Sequence, residues 1–159
     1  MTSAGLERTF KTRVKYGIHV ARPLEEVFKY VSNVDNYPKW QSSLFSVRNK
    51  AGLASAGQLV GDSQVRDQRN VLGKEVEAVW SVVDFQPNRS ITLEANPDAP
   101  VYWQMTWAVE EVDGGTFLTG EGGGNMGDLG MSAAEVSKGC QHLLEGDFAT
   151  LRTLLEAQR

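Results

Sequence analysis

From about residue 43 to 124 the chain reads as one strand after another with only turns between them, and a single long amphipathic helix then closes it. The segments "LFSVRN", "SQVRDQRN", "EVEAVWSVVDF", "SITLEA", "VYWQMTWAVEEV" and "TFLTGEG" are separated by Gly, Asn, Asp and Pro turn signals. Six strands in series imply antiparallel meander pairing. An earlier strand alternates Val14, Tyr16, Ile18 and Val20 against Lys15, Gly17 and His19. Between it and the meander, Pro23 suits a first helical position and Leu24, Val27, Phe28 and Val31 form one stripe. Asn33 and Asp35 interrupt that helix, and Pro38 limits a second one, which carries the bulky Tyr37 and Trp40, to about a turn. The closing helix starts after Ser132, with Glu135 three positions on, and gathers Ala133, Val136, Cys140, Leu143, Leu144, Leu151, Leu154 and Leu155 on one side.

This order predicts an α+β architecture. A seven-stranded antiparallel sheet has one face to bury, and a helix of over twenty residues spans about 30 Å, enough to lie across it. The sheet must curl around the helix, and strong curling leaves space between them as a pocket. With 159 residues, 41% of them hydrophobic, the chain is read as one domain over 1–159 with room for a core and a cavity, residues 1–12 forming an N-terminal segment free to be flexible. A formal net charge of -4, with both signs scattered, gives no footprint for nucleic acid or anionic lipid. The lone Cys140 makes no internal disulfide, and with only His19 and His142 beside it a metal site is not expected. No run of 18 apolar residues occurs, so membrane insertion is not expected, and the charged N-terminus lacks a signal-peptide core. A cytoplasmic location follows as the expectation.

Candidate site residues come from strand pairing. A turn at Leu72-Gly73 sets Val76, Ala78 and Trp80 opposite Arg69, Asp67 and Val65, which puts two charges on the inner face. Asp67 and Arg69 there orient the polar end of a guest or serve as acid/base and oxyanion partner. The plainer reading sets them solvated at an open edge, paired with each other or a neighbour, and a slip of one residue turns both outward and brings Arg66 in. Trp103, Met105, Trp107 and Val109 share a face, a row of large polarizable side chains suited, with Trp80 and Trp40, to a flat unsaturated ligand, though each can also merely fill core. A turn at Gly114-Gly115 places Gly120 opposite Val109 and Gly122 opposite Trp107, where missing side chains make room. Asp147 falls within the apolar stripe of the last helix, as a base or a structural contact. His142 and His19 fall outward, and Cys140 is a small apolar residue without a base beside it.

Gly122, Gly124 and Gly127 spell G-x-G-x-x-G, but the helix that follows is the last element, so the second parallel strand of a dinucleotide-binding unit is missing. No cofactor is expected. The connection "GNMGDLG", with Met126 and Leu129, would lie at one end of the cavity and gate entry.

The stretch "IHVARPLEEVFKYVSNVDNYPKW", with Pro23, Val27, Phe28, Val31, Asp35, Pro38 and Trp40, resembles the opening signature of the START-like, polyketide cyclase/dehydrase (SRPBCC) superfamily, which includes the birch-pollen-allergen-like proteins. "VVDFQPNRSI", "EVDGGTFLTGE" and "LLEGDFATLRTLLE" resemble its strand-turn-strand step, penultimate hairpin and closing helix. The resemblance implies a helix-grip fold, two short helices after strand 1, and a cavity for a hydrophobic small molecule. The expected lining is Trp40, Val65, Trp80, Trp103, Met105, Trp107, Gly120, Gly122, Met126 and Leu129. Fold does not fix the reaction. The leading expectation is a binder of an aromatic or polyene molecule. The alternative is a polyketide aromatase/cyclase or dehydratase moving protons with Asp67, Arg69 or Glu94, and a protein-interaction module is a third reading. Oligomeric state, a homodimer included, stays open.

Overall fold

Residues 10–51, 57–96, 102–125 and 130–157 are described in this computed structural model, 45–51 through their backbone alone. Strand β1 (Thr12–Val20) leads into helix α1 (Leu24–Val31), a 3-10 turn (Val34–Asn36) and helix α2 (Tyr37–Trp40). Then follow β2 (Leu44–Ala51), β3 (Gln64–Val71), β4 (Lys74–Gln86), β5 (Ser90–Ala95), β6 (Tyr102–Val112) and β7 (Gly115–Asn125), and helix α3 (Ala133–Glu156) ends the described chain. The strands form one sheet in the order β1-β7-β6-β5-β4-β3-β2, each paired antiparallel with its neighbours. Consecutive strands are thus adjacent from β2 to β7, and β1 pairs with β7. Pro23 stands one position earlier than expected, as the N-cap, because its ψ of 148° is extended and helical geometry begins at Leu24.

The first hairpin has the register expected from its turn. Leu72 and Gly73 both take positive φ, 52° and 89°, as a two-residue hairpin turn of type I′ requires, and Val65, Asp67 and Arg69 pair with Trp80, Ala78 and Val76. The β6–β7 register differs from expectation. The turn sits at Asp113-Gly114, Gly114 supplying φ 79°, so Val112 pairs with Gly115, and Trp107, Met105 and Val109 face Gly120, Gly122 and Leu118. Gly115 is not a turn residue because its glycine is needed elsewhere: a Cβ there would strike the Val20 carbonyl and lie 3.0 Å from Ala21 Cα. The slip is two residues, so every side chain keeps its face.

Helix α3 begins with a full capping box between Ser132 and Glu135 and buries Val136, Cys140, Leu144, Phe148, Leu151 and Leu155 at helical spacing. Ala133, counted in the stripe from sequence, is exposed in the first turn. The helix is fastened to the edge of the sheet along β1. Ser137 Oγ accepts from Arg13 N–H at 3.4 Å, Gln141 exchanges two hydrogen bonds with the Lys15 backbone at 3.1 and 2.8 Å, and Glu156 accepts from Ala21 N–H at 2.8 Å. Those side chains satisfy backbone groups that an edge strand otherwise leaves open. The N-terminal segment is held from Phe10 onward: Phe10 packs on Tyr102 with ring centroids 5.9 Å apart, Lys11 N–H donates to Asn125, and Thr12 is buried. Residues 1–9 of the segment expected to be flexible lie outside the described residues.

Candidate functional site

A cavity of about 140 Å³ lies between α3 and the inner faces of β3 to β6, and all four tryptophans of the chain line it. Strand alternation puts them there. Trp80 on β4 and Trp103 on β6 both pair with Ala95 on β5, whose short side chain leaves the space between the two indoles open. Met105 and Trp107 continue the β6 row, and Trp40 reaches in from α2. From α3 come Cys140, Leu143, Leu144 and Asp147. Val14 of β1 also borders it, and beside it a cluster of rings packs together: Trp40 meets Trp107 edge-on at 5.3 Å, and Phe148 lies 5.9 Å from Trp107 and 6.2 Å from Trp40.

One corner of the cavity is polar. Arg69 Nε and Nη2 both donate to Asp67 Oδ2, at 3.1 and 2.9 Å, and the guanidinium stands 5.3 Å from the Trp80 ring centre. Asp67 is 1% exposed, so burial pushes its carboxyl above the ordinary range, with Arg69 and the nearby Trp80 indole pulling it back. Asp67 Oδ1 and Trp80 Nε1 are both buried, without a well-formed hydrogen bond among the described residues. The Tyr37 hydroxyl belongs to the same neighbourhood. Burial raises it, the Trp107 indole and Arg69 oppose that, and Asp67 adds to it. On the opposite wall Asp147 Oδ1 accepts from Ser42 N–H at 3.0 Å, joining α3 to the segment after α2. Its carboxyl is raised by burial and lowered by Ser42 and Arg69. Burial also pushes the Cys140 thiol up to about 11, which keeps it protonated at neutral pH.

Of the residues expected in the lining, Trp40, Trp80, Trp103, Met105 and Trp107 border the cavity, and so does Arg69. Asp67 and Val65 do not: both face inward and are buried, Asp67 behind Arg69 rather than solvated at an edge. Gly120 and Gly122 are also outside the lining, and the room they make is used up. A Cβ on Gly120 would come within 2.9 Å of both Phe148 and Trp107, and one on Gly122 would strike the Gln104 carbonyl and lie 2.7 Å from the Met105 sulfur. Met126 and Leu129 lie outside the described residues. Glu94 is on the outer face, accepting from the Tyr102 hydroxyl at 2.8 Å, so alternation removes it from the cavity. His19 and His142 are exposed. Among the described residues no cluster of three or more His, Cys, Asp or Glu could hold a metal ion, and no helix is long and apolar enough to cross a membrane.

The sequence profile of one family, described as polyketide cyclase / dehydrase and lipid transport, matches residues 11–156. The chain belongs to the polyketide cyclase/dehydrase and lipid transport family. Its fold is shared by solved structures of low sequence identity. A START superfamily protein from Mycobacterium smegmatis superposes with a TM-score of 0.74 at 18% identity, over 91% of this chain and 97% of that one. A protein from Thermus thermophilus gives 0.74 at 14% identity over the same shares. The di-domain ARO/CYC BexL of the BE-7585A biosynthetic pathway gives 0.69 at 14% identity, over 92% of this chain and 50% of that one. At these identities the likeness establishes the fold alone. No curated protein matches the sequence.

In this polyketide cyclase/dehydrase family member, three features of the site escape sequence reasoning. Phe148 is missing from the helix stripe read in the sequence although it follows Leu144 by one turn, and that spacing alone could have placed it. Tyr37 reads there only as apolar bulk, whereas its hydroxyl joins the polar corner. The Ser42–Asp147 bond spans 105 residues of sequence, and no local signal announces it.

Proposed function

We propose that this protein binds a hydrophobic, aromatic or polyene small molecule in the cavity between sheet and α3, with the Asp67–Arg69 pair orienting the guest's polar end and no cofactor taking part. The observation that carries this reading is the gathering of all four tryptophans around one cavity. The family's description, which includes lipid transport, supports it. A volume of about 140 Å³ suits a ring-sized group, so a polyene longer than that enters only if the walls move. The test is native mass spectrometry of the purified protein together with a tryptophan-fluorescence titration by single-ring and polyene probes. Saturable quenching and a one-to-one complex are expected, and an unchanged spectrum with every probe would refute the reading.

A second reading, cofactor-independent cyclisation or dehydration, draws support from Arg69 at the wall and from the fold shared with BexL, a di-domain ARO/CYC. Catalysis would use Arg69 to hold a developing oxyanion, with Asp67 positioning the guanidinium. Replacing both, Asp67→Asn with Arg69→Met, separates the two. A binder keeps affinity for an apolar probe within a few fold, whereas an enzyme loses turnover while the probe still binds.

A further inference from the structure

Two residues of this chain stand where local preference disfavours them, and they touch each other. Leu72 holds a φ of 52° in the β3–β4 turn, at a position that a two-residue turn of this type ordinarily gives to Asn, Asp or Gly. Gly139 lies inside the 24-residue helix α3, where glycine is the weakest helix former after proline. A Cβ on Gly139 would come within 2.7 Å of Leu72 Cδ2 and 3.0 Å of Leu72 Cδ1, so the leucine side chain rests in the gap that the glycine leaves. Each choice costs stability by itself, and the contact gives both a reason.

The contact stands next to the cavity without belonging to its lining. Val71 and Val76 flank the turn, Cys140 and Leu143 follow Gly139 on α3, and all four border the cavity, whereas Leu72 and Gly139 do not. Both contact residues are half-buried, which sets them between the lining and solvent. The contact is also one that can open. Ser137, Gln141 and Glu156 tie α3 to β1 through hydrogen bonds, but among the described residues no hydrogen bond or ion pair joins residues 71–76 to the helix. Gly73 N–H turns back to Asn70 Oδ1 at 2.9 Å, so the turn keeps its own shape when it lifts away.

We propose that the Leu72–Gly139 contact is the door of the cavity: the β3–β4 turn lifts from α3 to admit a ring-sized guest and closes behind it. This rests on the reading of the cavity as a guest site. Because Leu72 lies outside the lining, loosening the contact speeds entry and exit alike and leaves affinity nearly constant. The test follows acetophenone binding to the full chain through the tryptophan indole N–H resonances, with Kd read from the shifts and the exit rate from the line shapes. Two variants are compared with the parent, each checked for folding by circular dichroism: Leu72→Ala, which removes the closing side chain, and Gly139→Ala, which pushes a methyl against it. Each raises the entry and exit rates about tenfold while Kd stays within about twofold. Rates unchanged in both folded variants, or an exit rate that rises only in step with Kd, overturns the proposal and leaves the guest-site reading standing. Failure of the parent chain to bind acetophenone overturns both.

Discussion

The β1–β7–β6 side and the β4–β5–β6 side of the inner face are built from similar parts, a small residue set opposite tryptophan, yet one is filled and the other holds the cavity. On the first, Gly120 faces Trp107, and the notch is occupied by that indole and by Phe148 from α3. On the second, Ala95 faces both Trp80 and Trp103, and α3 offers only Cys140, Leu143, Leu144 and Asp147. The difference lies in where the helix is tied. Ser137, Gln141 and Glu156 fasten α3 to the β1 edge, so its largest ring falls on the β7 side and the concavity under β4 and β5 goes unfilled.

Removing the ring that fills the closed side is the strongest way to break this contrast. Phe148→Ala, at a fully buried position, is expected to cost about 3–5 kcal/mol by urea denaturation, and Trp103→Ala on the open side less than half as much. Equal costs would mean that the two sides are packed alike. Overfilling comes next: Gly120→Ala pushes a methyl to 2.9 Å from Phe148 and Trp107 and should cost about 1–3 kcal/mol. Adding bulk on the open side has the opposite sign. Ala78→Val, in the cavity wall, should hold or raise stability by up to about 2 kcal/mol in thermal melts while weakening a ring-sized guest at least tenfold.

The smallest effect concerns Asp147. Its carboxyl is raised in the folded protein, so the fold favours the protonated form, and that preference is fully present below the ordinary carboxylate pKa and is lost as pH rises through the folded value. Asp147→Asn keeps an oxygen for Ser42 N–H and removes the titration. Its stability relative to the parent should rise from acidic to neutral pH by no more than about 1 kcal/mol, followed as Tm against pH. A relative stability that falls over that range would contradict the assignment.

Legibility in the sequence follows the range of the interaction. Period-2 alternation along 103–109 and the turn at Leu72-Gly73 specify the inward faces of β6, β4 and β3, because a tight turn fixes register and register fixes face. The capping box at Ser132 and Glu135 sets the start of α3 for the same local reason. What escapes depends on elements brought together from afar. Gly115 and Gly120 are glycines because of Val20 and Phe148, not because of their neighbours in sequence, so local pattern misplaces the β6–β7 turn by a residue and makes a filled notch look like open space. Whether Asp67 meets solvent or core likewise turns on the closure of the sheet, which local pattern does not encode.

The most direct test of the central claim, that the open side is a guest site, uses the four indole N–H resonances as reporters. In a two-dimensional nitrogen–proton titration with acetophenone, Trp80 and Trp103 should shift most and saturably. Trp40 and Trp107, locked against Phe148, should shift less. Four indole resonances that stay in place at millimolar acetophenone, or that move only for Trp40 and Trp107, would contradict it.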